Sequence, residues 1–111
     1  MSLYINFSKI ANKYPDSHAI EMFDGRAVCY KEFKEDVESF MSYITSKLGK
    51  ERYIGIIDDQ NYLAVVGIVA TILAGKNIIL VDPRLEQKRI SELLSKHARF
   101  YFSGLYKNID K

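Results

Sequence analysis

Apolar residues in the middle of the chain follow the pattern of a strand and then a helix. Tyr53–Ile57 is a short apolar run rich in β-branched residues, and it stops at a polar stretch that begins with Asp58, as a buried strand does. Almost every residue from 62 to 74 is apolar or small, which predicts a core helix shorter than the roughly 20 residues needed to span a bilayer. Gly75 then supplies the left-handed residue that commonly ends a helix.

A second β-branched run follows this helix. Asn77–Val81 closes at Asp82-Pro83, where proline removes a backbone donor and ends the strand. A strand, a helix and a strand in this order are almost always joined by a right-handed crossover, which makes the two strands parallel neighbours. Because the helix at 62–74 is apolar nearly all round, it has to be covered on more than one side.

The N-terminal third predicts a short helix and a hairpin. Two strand-like runs, 18–23 and 26–30, flank Asp24-Gly25, the pair that best tolerates positive φ in a two-residue type I′ turn. The preceding helix ends before Pro15, and Ser2 is its expected N-cap. Its apolar stripe consists of Leu3, Phe7, Ile10, Ala11 and Tyr14.

Amphipathic helices are predicted on either side of the central unit. The first follows the hairpin and ends at Gly49, and its apolar face consists of Phe33, Val37, Phe40, Met41, Ile44 and Leu48. The second covers residues 85–97, with Ile90, Leu93, Leu94 and His97 on one face. Residues 98–103 are aromatic and β-prone, which indicates a further strand.

These elements predict an α/β fold with three layers. A mainly parallel sheet carries helices on both faces, and the N-terminal β-hairpin adds an antiparallel pair at one side. The 111 residues are enough for one core, and no repeat or Gly/Ser/Pro-rich linker divides them. We therefore expect residues 1–111 to form a single domain or part of one.

Composition limits the possible partners and the compartment. With 48% hydrophobic residues, a net charge of +2 and no run of like charges, the chain has the profile of an ordinary globular protein, without the basic footprint of a nucleic-acid-binding or membrane-surface protein. The single cysteine cannot form an internal disulfide, and the first residues lack the pattern of a signal peptide. A reducing cytoplasm is the expected location.

The candidate chemistry lies at the ends of the central strands. Asp58, Asp59 and Asp82 are expected at the carboxyl edge of the sheet, where open α/β proteins bind ligands, and receiver domains hold Mg²⁺ with a similar acidic set. A receiver, however, begins with the strand that carries its acidic pair, and here two helices and a hairpin come first. We therefore interpret Asp58 or Asn61 as the cap of the following helix and Asp82 as the cap of the turn at Pro83.

Other residue types add no catalytic centre. Neither a G-x-G-x-x-G nor a G-x-x-x-x-G-K-[ST] loop occurs, and His18 and His97 have no partner at metal-ligand spacing. Cys29 lies beside a helix start, where a reactive thiol could be placed, but a small packed side chain is the preferred interpretation. We assign no catalytic residue and no metal ligand, and cofactor-binding residues stay unknown.

Two motifs resemble the start of adenylate-forming (AMP-binding) enzymes. Residues 28–33, VCYKEF, resemble a family motif of the form L-[ST]-Y-x-E-L that follows a hairpin. Residues 72–83 resemble L-K-A-G-x-x-Y-V-P-L-D-P and keep Ala74-Gly75 and Asp82-Pro83. The resemblance covers about residues 7–103, with the elements between the motifs in the same order. The chain is thus similar to the N-terminal portion of acyl-CoA synthetases, luciferases and nonribosomal peptide synthetase adenylation domains.

Three residues depart from these motifs. Cys29 replaces a Ser or Thr that would form a capping box with Glu32, so the helix N-terminus loses about 1 kcal/mol. Leu73 stands where Lys is usual, and Leu80 where the family often has Pro. Neither leucine is expected to break the fold, since Leu80 restores a strand donor.

The resemblance also implies parts that these residues do not contain. Members of the family hold ATP with a Ser/Thr/Gly-rich loop ending in Pro-Lys-Gly and with two further Thr-containing segments, and a hinged C-terminal subdomain supplies the catalytic lysine. None of these segments occurs in the 111 residues. ATP and Mg²⁺ are therefore implied only for a complete enzyme, and no cofactor is expected for this chain.

Two hypotheses about function follow. In the first, the chain is the N-terminal scaffold of an ATP-dependent, carboxylic-acid-activating ligase, truncated or completed by the rest of the enzyme in cis or in trans, and inactive alone. In the second, it is a free-standing α/β interaction module that docks on a partner, such as a split adenylating enzyme or carrier-protein machinery. Both predict an uncovered sheet edge or apolar helix face, and hence self-association.

Overall fold

The computed structural model describes residues 3–58, 61–84, 88–92, 100–103 and 109–110. Within them, three complete helices are Leu3–Lys13 (α1), Tyr30–Lys47 (α2) and Tyr62–Leu73 (α3). The strands are His18–Glu21 (β1), Ala27–Cys29 (β2), Tyr53–Ile57 (β3), Asn77–Val81 (β4), Phe100–Ser103 (β5) and Ile109–Asp110 (β6). Residues 88–92 are also helical. No helix in this described part is long and apolar enough to cross a membrane.

The central unit forms as its hydrophobic pattern predicts. β3 and β4 have the predicted bounds, and they pair in parallel with Ile54 opposite Ile78 and Ile57 opposite Val81. β5 joins the other side of β3, also in parallel, which confirms a third parallel strand. β6 then pairs antiparallel with β5, in a tail for which no element was predicted. The strand order is β4-β3-β5-β6.

The hairpin differs from its prediction in two respects. β1 and β2 form a separate two-stranded sheet, so the antiparallel pair is not an extension of the parallel sheet among the described strands. The turn is also longer than two residues, because Gly25 N donates to Met22 O (2.9 Å) and Met22 N donates to Arg26 O (2.8 Å). With Gly25 at φ +91°, these bonds describe a three-residue loop closed by a left-handed glycine.

The amphipathic helix α2 buries the predicted face. Phe33, Val37, Ile44 and Leu48 are fully buried, and Phe40 and Met41 pack partly buried against them. The N-cap position is Cys29, whose side chain makes no capping hydrogen bond, as expected from the loss of Ser or Thr there.

Only part of the apolar stripe predicted for α1 is buried. Ala11 is buried and Phe7 meets Phe33 edge to face at 5.7 Å, but Leu3, Ile10 and Tyr14 are each about half exposed or more. The reason is tertiary, because α1 packs mainly against α2 and the described residues leave the rest of its apolar surface largely uncovered.

The helix α3 lies against both α2 and the sheet, which supplies the cover that its apolar surface requires. A Cβ added at Gly67 would lie 3.4 Å from Ile56 Cδ1 and 3.6 Å from Phe40 Cζ, so this position of α3 faces both the sheet and α2. Gly75 ends the helix at φ +78°, as predicted. Leu63 and Ile72 remain about half exposed.

Side chains pack on both sides of β4. Ile78 packs against the main core with α2 and α3, whereas Ile79 and Val81 pack with Ile90 of the helical segment at 88–92. The predicted amphipathic helix at 85–97 is thus supported by its buried Ile90. Its other predicted face residues, His97 among them, lie outside the described residues.

Candidate functional site

The carboxyl edge of the parallel sheet is the place where the sequence predicts a possible site. Ile57 and Val81 are register partners, and Asp58 N donates to Val81 O at 2.9 Å, so Asp58 and Asp82 leave neighbouring strands at the same edge. The structure therefore brings these two predicted residues together. Asp59 lies outside the described residues.

Asp82 closes the turn after β4. Its Oδ1 accepts a hydrogen bond from Arg84 N at 2.9 Å. The Arg84 guanidinium donates from Nε to Oδ1 at 3.0 Å and from Nη2 to Oδ2 at 2.8 Å. These hydrogen bonds from the Arg84 side chain and backbone lower the pKa of Asp82 to about 2. The predicted cap of the Pro83 turn is confirmed, and the carboxylate is already engaged by its own turn.

Asn61 caps the helix that starts at this edge. Its side-chain oxygen accepts from Ala64 N at 2.9 Å, which satisfies one of the free amides of the first turn of α3. Of the two caps that the sequence allowed, the structure selects Asn61. Within the described ranges, no group of three or more His, Cys, Asp and Glu side chains lies close enough to hold a metal ion.

A polar cluster that the sequence did not predict lies at the first residue of α3. Tyr62 is buried and donates from its hydroxyl to Asp36 Oδ2 on α2 at 2.5 Å. The Arg26 guanidinium lies 4.9 Å from the centre of the Tyr62 ring. Burial, followed by the hydrogen bond to the Asp36 carboxylate, raises the pKa of Tyr62.

This Tyr62 cluster connects the hairpin, α2 and α3 through one side chain. Tyr62 and Asp36 are 26 residues apart in the sequence, so no local periodicity could have indicated the cluster. With Tyr62 protonated, the arrangement can donate a hydrogen bond and hold a cation over an aromatic face, which is a positioning role.

A second polar pair lines a shallow groove between α1 and α2. Tyr4 donates to Glu38, which also accepts from Lys34 Nζ at 3.3 Å, and the Tyr4 hydrogen bond is the main reason that the pKa of Glu38 is lowered. The groove has a volume of about 390 Å³ and is lined by Tyr4, Glu38, Met41, Ser42, Thr45 and Ser46. The carboxylate in it is paired on two sides.

The two other candidate residues, Cys29 and His18, lie in the hairpin strands. Cys29 is partly buried at the end of β2, and the backbone amide of Lys31 is satisfied by Pro15 O at 3.0 Å. His18 begins β1 and is exposed, with Nδ1 3.4 Å from Glu21 Oε1. The described chemistry is therefore that of caps, turns and packing contacts around a parallel β-α-β unit.

This architecture is that of an α/β protein, and comparisons with known proteins indicate which proteins share it. No family model matches the chain. Bacitracin synthase 1 of Bacillus licheniformis is 30% identical over 89 residues, which cover 79% of this chain and 2% of that protein.

Solved structures agree in fold. The N-terminal subdomain of Klebsiella oxytoca NpsA, in complex with 3-hydroxyanthranilyl-AMSN, superposes with a TM-score of 0.75 at 22% identity over 92% of this chain and 26% of that one. PA1221, a nonribosomal peptide synthetase (NRPS) protein containing adenylation and PCP domains, superposes with a TM-score of 0.77 at 18% identity over 92% of this chain and 21% of that one.

These findings confirm the resemblance carried by the two motifs. The chain is placed with the N-terminal portion of the adenylation domains of the adenylate-forming superfamily, and it spans about a quarter of the NpsA subdomain that it matches.

Proposed function

We propose that this chain is the N-terminal scaffold segment of an ATP-dependent, carboxylic-acid-activating (adenylating) ligase. The observation that carries the proposal is the superposition of 92% of the chain on a solved adenylation N-terminal subdomain, of which it spans 26%. On this proposal residues 1–111 are one partial subdomain. The parallel strands β3, β4 and β5 belong to a larger sheet, and with the helices they form the first part of a three-layer α/β fold.

The scaffold role agrees with the chemistry of the described residues. Asp82 and Asn61, which stand at the sheet edge, close a turn and cap a helix. Transfer of an adenylyl group requires positioned donors and a cation at the phosphate, and the sequence contains no loop ending in Pro-Lys-Gly to provide them. We therefore propose that the chain alone is inactive and that ATP and Mg²⁺ bind in the complete enzyme.

The proposed partner is the remainder of the ligase, in cis or in trans. PA1221 contains adenylation and PCP domains, and a carrier protein is accordingly a further partner that we propose for the complete enzyme. The single cysteine fits the reducing cytoplasm in which we place it. No comparison favours a free-standing interaction module over this assignment.

The test begins with the gene. Its reading frame after residue 111, and those of its neighbours, are searched for a Ser/Thr/Gly-rich segment ending in Pro-Lys-Gly. The polypeptide that carries the segment is then expressed separately from residues 1–111. Acid-dependent exchange of pyrophosphate into ATP is measured across the amino acids and a set of aryl acids, for each polypeptide and for the mixture.

We expect exchange from the mixture and none from residues 1–111 alone. Exchange by residues 1–111 alone would contradict the assignment of the nucleotide site to the remainder. A second polypeptide that is fully active without residues 1–111 would contradict the scaffold role.

A further inference from the structure

We draw no further inference here: the strongest candidate, the edge of β4 with its exposed Leu80, which no other described strand pairs with, carries none, because the chain spans about a quarter of the subdomain that it matches and nothing in the structure shows what covers this edge.

Discussion

Two neighbouring strands, each with four aliphatic or glycine residues among five, have very different surroundings. β3 has β4 on one side and β5 on the other, and Ile54, Gly55 and Ile56 are fully buried. β4 is also mainly apolar, but it lies at the edge of the sheet that the described strands form, and of its five residues only Val81 is fully buried. We call β3 with α2 and α3 the covered region, and β4 with its following turn the edge region. The difference shows that apolar composition selects a strand, whereas neighbours decide how much each residue contributes to stability.

The largest contrast is expected between single truncations in the two strands. Ile56→Ala leaves a cavity against α3 in the covered region and is expected to lower the free energy of unfolding by about 2–5 kcal/mol. Leu80→Ala removes a side chain that is more than half exposed and is expected to cost less than about 1 kcal/mol. Urea denaturation of both variants, at concentrations below those that favour self-association, measures the difference. Equal losses would show that the edge is covered in solution.

The polar anchor of the covered region is expected to have the next largest effect. Tyr62→Phe removes the hydroxyl that donates to Asp36 and leaves that carboxylate without this partner, which is expected to cost about 1.5–3 kcal/mol. Asp36→Asn keeps an acceptor oxygen at the same place and is expected to cost less. Thermal and urea unfolding give both values. A Tyr62→Phe variant as stable as the original chain would mean that packing alone holds α3 on α2.

A gain in stability is expected at the start of α2. Cys29→Ser restores a side-chain acceptor at the N-cap, where Glu32 stands at the position that completes a capping box, and is expected to add about 0.5–1 kcal/mol. Cys29→Ala has the same small size without the acceptor and serves as the control. If the two variants are equally stable, the Lys31 bond to Pro15 already replaces the missing cap.

The smallest effect is expected from the exposed turn of the edge region. Arg84 lowers the pKa of Asp82 from 3.8 to about 2, so the pair contributes stability above pH 3.8 that is lost as the pH falls towards 2. The difference in unfolding midpoint between the original chain and Asp82→Asn is therefore expected to be constant near neutral pH and to shrink across that acid window. Solvent screening keeps the difference small. A difference that persists unchanged at pH 2 would contradict the Asp82–Arg84 assignment.

Much of the fold could be predicted because it is encoded locally. The bounds of β3 and β4 follow from short apolar runs with polar ends, and the end of α3 follows from one left-handed glycine. The hairpin loop was predicted one residue too short, because the sequence pair Asp24-Gly25 fits either length and the hydrogen bonds of Met22 decide between them. The exposed half of α1 was missed because its stripe has helical spacing whether or not a partner covers it.

The sequence by itself predicted most of the segments that become strands and helices, and it contains the two motifs that resemble those of adenylate-forming enzymes, since these features depend on neighbours a few positions away. Only the tertiary structure decided that Asn61 caps α3, that Tyr62 joins Asp36 and Arg26, and that β4 lies at the edge of the described sheet. The Asn61 cap is a local bond to Ala64 that the sequence offered as one of two alternatives, whereas the Tyr62 cluster and the place of β4 depend on contacts between distant residues. Such contacts form when the helix α3 packs between α2 and the sheet, and no periodicity along the chain records them.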